Sequence, residues 1–346
     1  MIKLEGLIEL HGDIWQVDLE ERGLPGWTAG YLLKGTGHSG WMLIETGPAS
    51  SSERLFAAAD SLGISPGQVK YIGVTHIHLD HAGGLGVIAR YFQDAEIWVH
   101  PRGERHLVDP TRLIAGSRAV YGEKKMQEYG EVRPVSPERL RSAREGKIIS
   151  LGERSIEVWE TPGHAKHHVC FYDRQTRGLF SGDAVGVYLP LTSKLLKQPV
   201  TRPATPGPDF NGALMLQDLY RLALSEVQNL YFTHFGAASP AQLLIELVLG
   251  QLLMHMRIAG NYLEEEDAQQ KLTRALQEQT IKGLCSCLAE KSIARDLVSN
   301  EMDLMLEPLY DSADGLLSYL HQSGGRQSGG RGCWFKANRG DGGIDL

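Results

Sequence analysis

Cysteine is scarce in this 346-residue chain: four residues, too few for the disulfide framework of a small secreted scaffold. Excess positive charge is missing too. Thirty-five Lys and Arg stand against 42 Asp and Glu, a formal charge of −7, which argues against non-specific binding to nucleic acid. No run approaches the roughly 18 consecutive apolar residues of a membrane span. The best stretch, 243–250, is interrupted by Glu246. Glu5 and Glu9 sit where a secretory signal would need its apolar region. These absences set the expectation of a cytoplasmic protein acting on a small molecule, with no nucleic-acid or membrane partner and with a homodimer left open.

Hydrophobic residues make up 42% of the chain, ample for a large core. The first half reads as short strands with helices between them. Near-alternating runs over 7–17 and 27–33, and the compact runs 41–45, 69–74 and 96–99, predict strands. A helix is expected from Ser52 to Leu62 and another from Gly84 to Tyr91, while 101–145 reads as polar and helical. Four more strands follow at 148–150, 155–159, 168–172 and 178–180. Five prolines between Pro190 and Pro208 predict a long surface loop of the kind that often covers a site. From 240 to about 322 the chain turns helical, with Leu309, Ala313, Leu316, Leu317 and Leu320 on one face. The remaining residues, 323–346, read as a Gly-rich disordered tail in which Trp334 and Phe335 are the only large docking groups.

One segment carries the chemistry: Thr75-His76-Ile77-His78-Leu79-Asp80-His81-Ala82-Gly83-Gly84. His76 and His78, two apart at a strand end, present their rings to one side. Asp80 and His81 follow in the turn. Four potential ligands within six residues, beside a glycine pair, form a pattern that suits a metal. His164 in TPGH, Asp183 in SGD and His234 in THFG fit the same site, each beside a turn after an expected strand. His100, His106, His167 and His168 read as ordinary histidines. Cys285 and Cys287 read as structural, and Cys170 as a small core residue.

In this order, HxHxDH, TPGH, SGD and THFG resemble the metallo-β-lactamase superfamily over roughly residues 6–240. The resemblance implies an α/β fold, an αββα sandwich of two sheets flanked by helices, here occupying 1–239 and followed by a C-terminal helical region. It implies His76, His78 and His164 on one metal, Asp80, His81 and His234 on a second, and Asp183 bridging them. Two divalent ions would then activate water for attack on an ester-like bond, a thioester or lactone, with Asp80 as the catalytic carboxylate. Zinc suits this ligand set best, though iron and manganese also take nitrogen and oxygen donors. A mononuclear iron sulfur dioxygenase is the alternative chemistry. β-Lactamase activity is less favoured, because the full HxHxDH set with Asp183 is more similar to the glyoxalase II and lactonase branch; ribonuclease Z-like phosphodiesterase activity shares the ligands, but the acidic balance weighs against it. The family usually has Asp where this chain has Glu45, beneath the metal loop. Tyr188 and Lys166 are the candidate substrate contacts. The helical region of glyoxalase II-like relatives borders the active site, so 240–322 here is expected either to wall the pocket or to form a dimer contact.

Overall fold

The computed structural model of the protein describes residues 4–326; Trp334, Phe335 and the rest of the expected tail beyond 326 lie outside them. Among the described residues the backbone forms two seven-stranded sheets. The first contains β1 (Leu7–Glu9), β2 (Ile14–Asp18), β3 (Ala29–Lys34), β4 (Trp41–Ile44), β5 (Val69–Gly73), β6 (Glu96–Val99) and β7 (Leu140–Ser142), in that spatial order. It is antiparallel from β1 to β4 and parallel from β4 to β7. The second contains β8 (Ile148–Leu151), β9 (Arg154–Glu160), β10 (Val169–Asp173), β11 (Gly178–Tyr188), β12 (Thr201–Arg202), β13 (Asn229–His234) and β14 (Gly236–Ala238). Its order is β14-β13-β11-β10-β9-β8, with β12 paired to the end of β11.

Alternation along the strands sorts side chains into layers. Tyr31, Leu33, Met42 and Ile44 of the first sheet meet Ile156, Val158, Phe171 and Phe180 of the second in a buried central core. Leu32 and Leu43 point the other way, under the helices Ser52–Ser61 and Leu85–Tyr91. Leu179, Leu230 and Phe232 face the helices Gly212–Ala223, Ala241–Gly260 and Leu309–Arg326. Burying each such side chain contributes roughly 1.5–3 kcal/mol, which is why two sheets need both faces covered. The expected αββα sandwich with C-terminal helices is the observed fold. Gly73 ends β5 against Phe171 and Met42, where a Cβ would come within 2.9 Å of both side chains. The bare backbone lets the segment bearing His76, His78, Asp80 and His81 leave the sheet directly over the core.

Several local expectations are corrected. Residues 101–145 are helical as Pro101–Val108, Thr111–Tyr129 and a 3-10 turn at Pro137–Arg139; β7 then adds to the parallel edge, paired to β6. The strand expected at 178–180 runs eleven residues to Tyr188. Gly182, expected beside a turn, and Gly186, at φ +49° and +73°, serve register shifts within β11. The Pro-rich stretch is not wholly a loop, because Pro190 starts a helix to Leu196 at the position where proline costs nothing. The C-terminal region holds four α-helices, Ala241–Gly260, Ala268–Glu290, Ser299–Leu306 and Leu309–Arg326. Ala241–Gly260 is long and apolar enough to cross a membrane by length and composition, with mean hydropathy 1.4 over its best window. Its buried residues Leu244, Ile245, Val248, Leu252 and Ala259 join the core on the second sheet.

Candidate metal centre

Seven side chains converge at one end of the sandwich, between the two sheets. After β5 the chain bends at Thr75 and leaves the sheet through His76 and Ile77, and His78 is the N-cap of a short helix, Leu79–Ala82, that carries Asp80 and His81. Thr75 holds this segment to both sheets: its N–H donates to Glu45 Oε1 (2.7 Å) and its carbonyl accepts from Val169 N (2.8 Å). His164 comes from the turn before β10, Asp183 from the shifted register of β11, and His234 from the end of β13.

The ring nitrogens and carboxylate oxygens meet in three overlapping groups, His76–His78–His164, His76–His81–Asp183 and Asp80–His81–His234, each within 4.8 Å. His76 Nε2 lies 2.8 Å from His78 Nδ1, which lies 3.3 Å from His164 Nε2. Asp183 faces both sides. Its Oδ2 is 3.4 Å from His164 Nε2, and its Oδ1 is 3.4 Å from His81 Nε2 and 3.6 Å from His234 Nε2. Asp80 Oδ2 is 3.4 Å from His234 Nε2. These are the residues expected from the motifs, brought together as expected.

The far nitrogens are anchored. His164 Nδ1 meets Ala204 O (3.0 Å), His234 Nδ1 meets Trp27 O (3.0 Å), and His76 Nδ1 meets Thr75 Oγ1 (3.1 Å). His81 Nδ1 is bound to Glu45 Oε2, and Thr233 Oγ1 donates to the same oxygen. A carbonyl or carboxylate can only accept, so His81, His164 and His234 carry their protons on Nδ1 and turn Nε2 inward. Glu45, in a left-handed conformation at φ +66° just past β4, thus fills the position where the family usually has Asp. Its carboxylate reaches both the Thr75 N–H and the His81 ring.

Three buried atoms here lack any hydrogen-bond partner: Asp80 Oδ1, His81 Nε2 and Asp183 Oδ1. Orphaned groups at such depth are costly unless something binds them. The donor set is imidazole nitrogen and carboxylate oxygen, which fits two divalent cations. Electrostatics agree. Burial, reinforced by neighbouring rings, pushes His76 well down and His78 to about 4, keeping both neutral and able to donate lone pairs. Burial disfavours the Asp183 carboxylate, but His81, His164 and His234 outweigh it and hold the group well below the usual carboxylate range. Burial likewise opposes charge on His81, yet Asp183, Glu45 and Asp80 together push it well above the ordinary value. A cation in place of that proton meets the same carboxylates.

A family model described as "Metallo-beta-lactamase superfamily" matches residues 28–234. The chain belongs to that superfamily. Among the relatives of this metallo-β-lactamase superfamily chain, the chicken (Gallus gallus) acyl-coenzyme A thioesterase MBLAC2 is 36% identical over 128 residues, 32% of this chain and 40% of that protein. The hydroxyacylglutathione hydrolase of Francisella tularensis subsp. novicida is 34% identical over 92 residues, 27% of this chain and 34% of that one. The chain thus spans less than half the length of these relatives. The metallo-β-lactamase family protein TTHA1429 of Thermus thermophilus superposes with a TM-score of 0.60 at 21% identity. That match covers 86% of this chain and 89% of the other, and it is a likeness of fold.

The two expected substrate contacts are not brought to the site. Tyr188 stacks on Phe232, ring centroids 5.5 Å apart, against the core of the second sheet. Lys166 is exposed and paired to Asp209 at 2.8 Å. His168 is no ligand, but it is more than an ordinary histidine: its Nε2 accepts from Asp183 N (3.1 Å) and its Nδ1 meets Thr161 Oγ1 (2.7 Å). Gly182, where a Cβ would fall 2.6 Å from that Nε2, makes this approach sterically open. Only the adjacency of His168 to TPGH could have signalled the role. The cavity over the centre, about 80 Å³, is lined by His78, Asp80, Asp183 and His234 together with Trp27, Tyr121, Arg202 and Thr205. Leu304, Glu307, Pro308, Asp311 and Ser312 also line it, so the C-terminal region walls one side of the pocket.

Proposed function

We propose that this protein is a metal-dependent hydrolase of an ester-like bond, with a thioester favoured over a lactone, working through two divalent ions that are most simply zinc. The observation that carries the reading is the set of inward, unpartnered atoms of Asp80, His81 and Asp183 amid anchored imidazoles. His76, His78 and His164 would hold one ion, Asp80, His81 and His234 the other, and Asp183, with an oxygen toward each group, would span them. When bound, such a pair supplies Lewis acidity and makes water acidic enough to act as a nucleophile near neutral pH. The chain's own residues do the rest. Glu45, Ala204 and Trp27 keep the rings oriented through their Nδ1 protons. Asp80, whose carboxylate His81 and His234 hold ionised against the effect of burial, is the residue assigned to orient the attacking water. Trp27, Val187 and Leu304 give the cavity an apolar flank. The thioester preference is supported by the relatives, one named as an acyl-coenzyme A thioesterase and one as a hydroxyacylglutathione hydrolase.

The test is purification without chelator, metal quantification, and a screen across thioesters, lactones, phosphodiesters and β-lactams. Two zinc per chain with thioester turnover is the expected result, and Asp183→Ala should lose bound metal and turnover together. Full metal content and turnover in that variant would refute the site. One iron per chain without hydrolysis would replace the reading with oxygenase chemistry.

A further inference from the structure

Arg202 is a buried cation on the wall of the metal-side cavity, 3% exposed, and it forms no ion pair among the described residues. It sits on β12, opposite Val187 of the strand that carries Asp183. Its Nη1 donates to Pro203 O (3.0 Å) and Ser312 Oγ (3.4 Å), and its buried Nε has no partner. Both bonds are to neutral oxygens. They fix the guanidinium plane without neutralising it. The acidic groups whose field reaches it are Asp183, committed to the metal centre, and Asp311. Burial lowers its pKa to about 10, leaving it charged at neutral pH.

A desolvated guanidinium held by neutral partners is an incomplete ion pair. We propose that Arg202 binds a carboxylate on the substrate, so that the hydrolysed molecule is an ester or thioester bearing a second, singly charged acidic group. This rests on the hydrolase reading above and adds the substrate class. A carboxylate is favoured over a phosphate by the rest of the wall. Glu21, Glu307 and Asp311 also line the cavity, and Lys125 already pairs with Glu307 at 3.7 Å. A second negative charge would meet those acids with no further free cation among the described lining residues, and the space is about 80 Å³.

Arg202 also borders a second cavity of about 240 Å³, with apolar walls from Leu196, Val200, Leu284 and Met305. No metal-centre residue lines that cavity. Binding there would not depend on metal. The test therefore measures, by calorimetry on the metal-loaded protein, dicarboxylates from malonate to adipate beside their monoamides. The metal centre serves one carboxylate of either compound, and Arg202 serves the second. At one chain length the diacid should bind about tenfold tighter than its monoamide. That preference should vanish in Arg202→Met with metal content unchanged, and on removal of the metals. Equal affinity of diacid and monoamide at every length overturns the proposal, and this comparison stands on the wild type alone should the variant not fold. A preference that survives metal removal overturns it in favour of a ligand in the second cavity. Tighter binding of inorganic phosphate than of any diacid overturns the choice of carboxylate. Because the readout is binding, absence of ester hydrolysis would sink the hydrolase reading while leaving the Arg202 result separate.

Discussion

Replacing Glu45 with Gln should weaken the metal centre from beneath. Glu45 is 1% exposed, and its two oxygens serve three donors: the Thr75 N–H on Oε1, and the His81 Nδ1–H and Thr233 hydroxyl on Oε2. Glutamine has the same length but one acceptor. If its oxygen faces Thr75, its amide N–H₂ confronts the protonated Nδ1; if it turns, Thr75 N–H is left against a donor. The ring escapes by moving its proton to Nε2, the atom that must hold a cation. Losing the partner that orients a metal-binding imidazole typically costs 10–100-fold in affinity, about 1.4–2.7 kcal/mol. Only the ion held by Asp80, His81 and His234 should be affected, so chelator competition should show one of two equivalents lost early. Glu45→Asp keeps both acceptors on a side chain one methylene shorter and is expected to fall between. Unchanged affinity for both ions in Glu45→Gln would refute the tautomer argument.

Other outcomes follow from groups away from the centre. Arg154 and Asp173 form a fully buried pair, Nη2 to Oδ2 2.6 Å, and Arg154 also donates to Gly12 O and Lys34 O of the first sheet. Arg154→Met leaves the carboxylate buried and uncompensated. Chemical denaturation should show a loss of about 3–5 kcal/mol. Asp218 accepts from Gly163 N (2.8 Å), steadying the turn that bears His164, and burial raises its pKa from 3.8 to about 7. A carboxyl raised on folding favours the folded state when protonated, so its contribution is present below pH ~4 and lost as pH rises towards 7. Asp218→Asn, which keeps an acceptor, should therefore gain stability over wild type above pH 7, up to about 4 kcal/mol, and show no gain below pH 4. Parallel denaturation curves at pH 4 and pH 8 decide this.

The metal centre was legible because ligand chemistry is written locally. His76, His78, Asp80 and His81 occupy one short segment, and His164, Asp183 and His234 each sit in a recognisable neighbourhood of small residues. The sandwich was legible for a similar reason, since strand alternation is a nearest-neighbour pattern. What went unread depends on partners distant in sequence. Residue 204 offers His164 only a backbone oxygen, as residue 27 does for His234, and a carbonyl has no residue-type signature. The true length of β11 was hidden because a glycine in a shifted strand looks like a glycine in a turn. Tyr188 and Lys166 were attractive by adjacency to ligands, but stacking on Phe232 and pairing with Asp209 decided their positions. Arg202 was just another residue in a proline-rich stretch until its burial was seen.

The groups that would grip the ions come from sheet edges and the turns fastened to them, whereas one side of the chamber above is supplied by the stretch from Leu304 to Ser312. Part of what shapes that chamber is therefore written in a stretch separate from the candidate ligands. A lineage can reshape that side of the chamber by altering a few residues between 304 and 312, with the candidate ligand set left untouched.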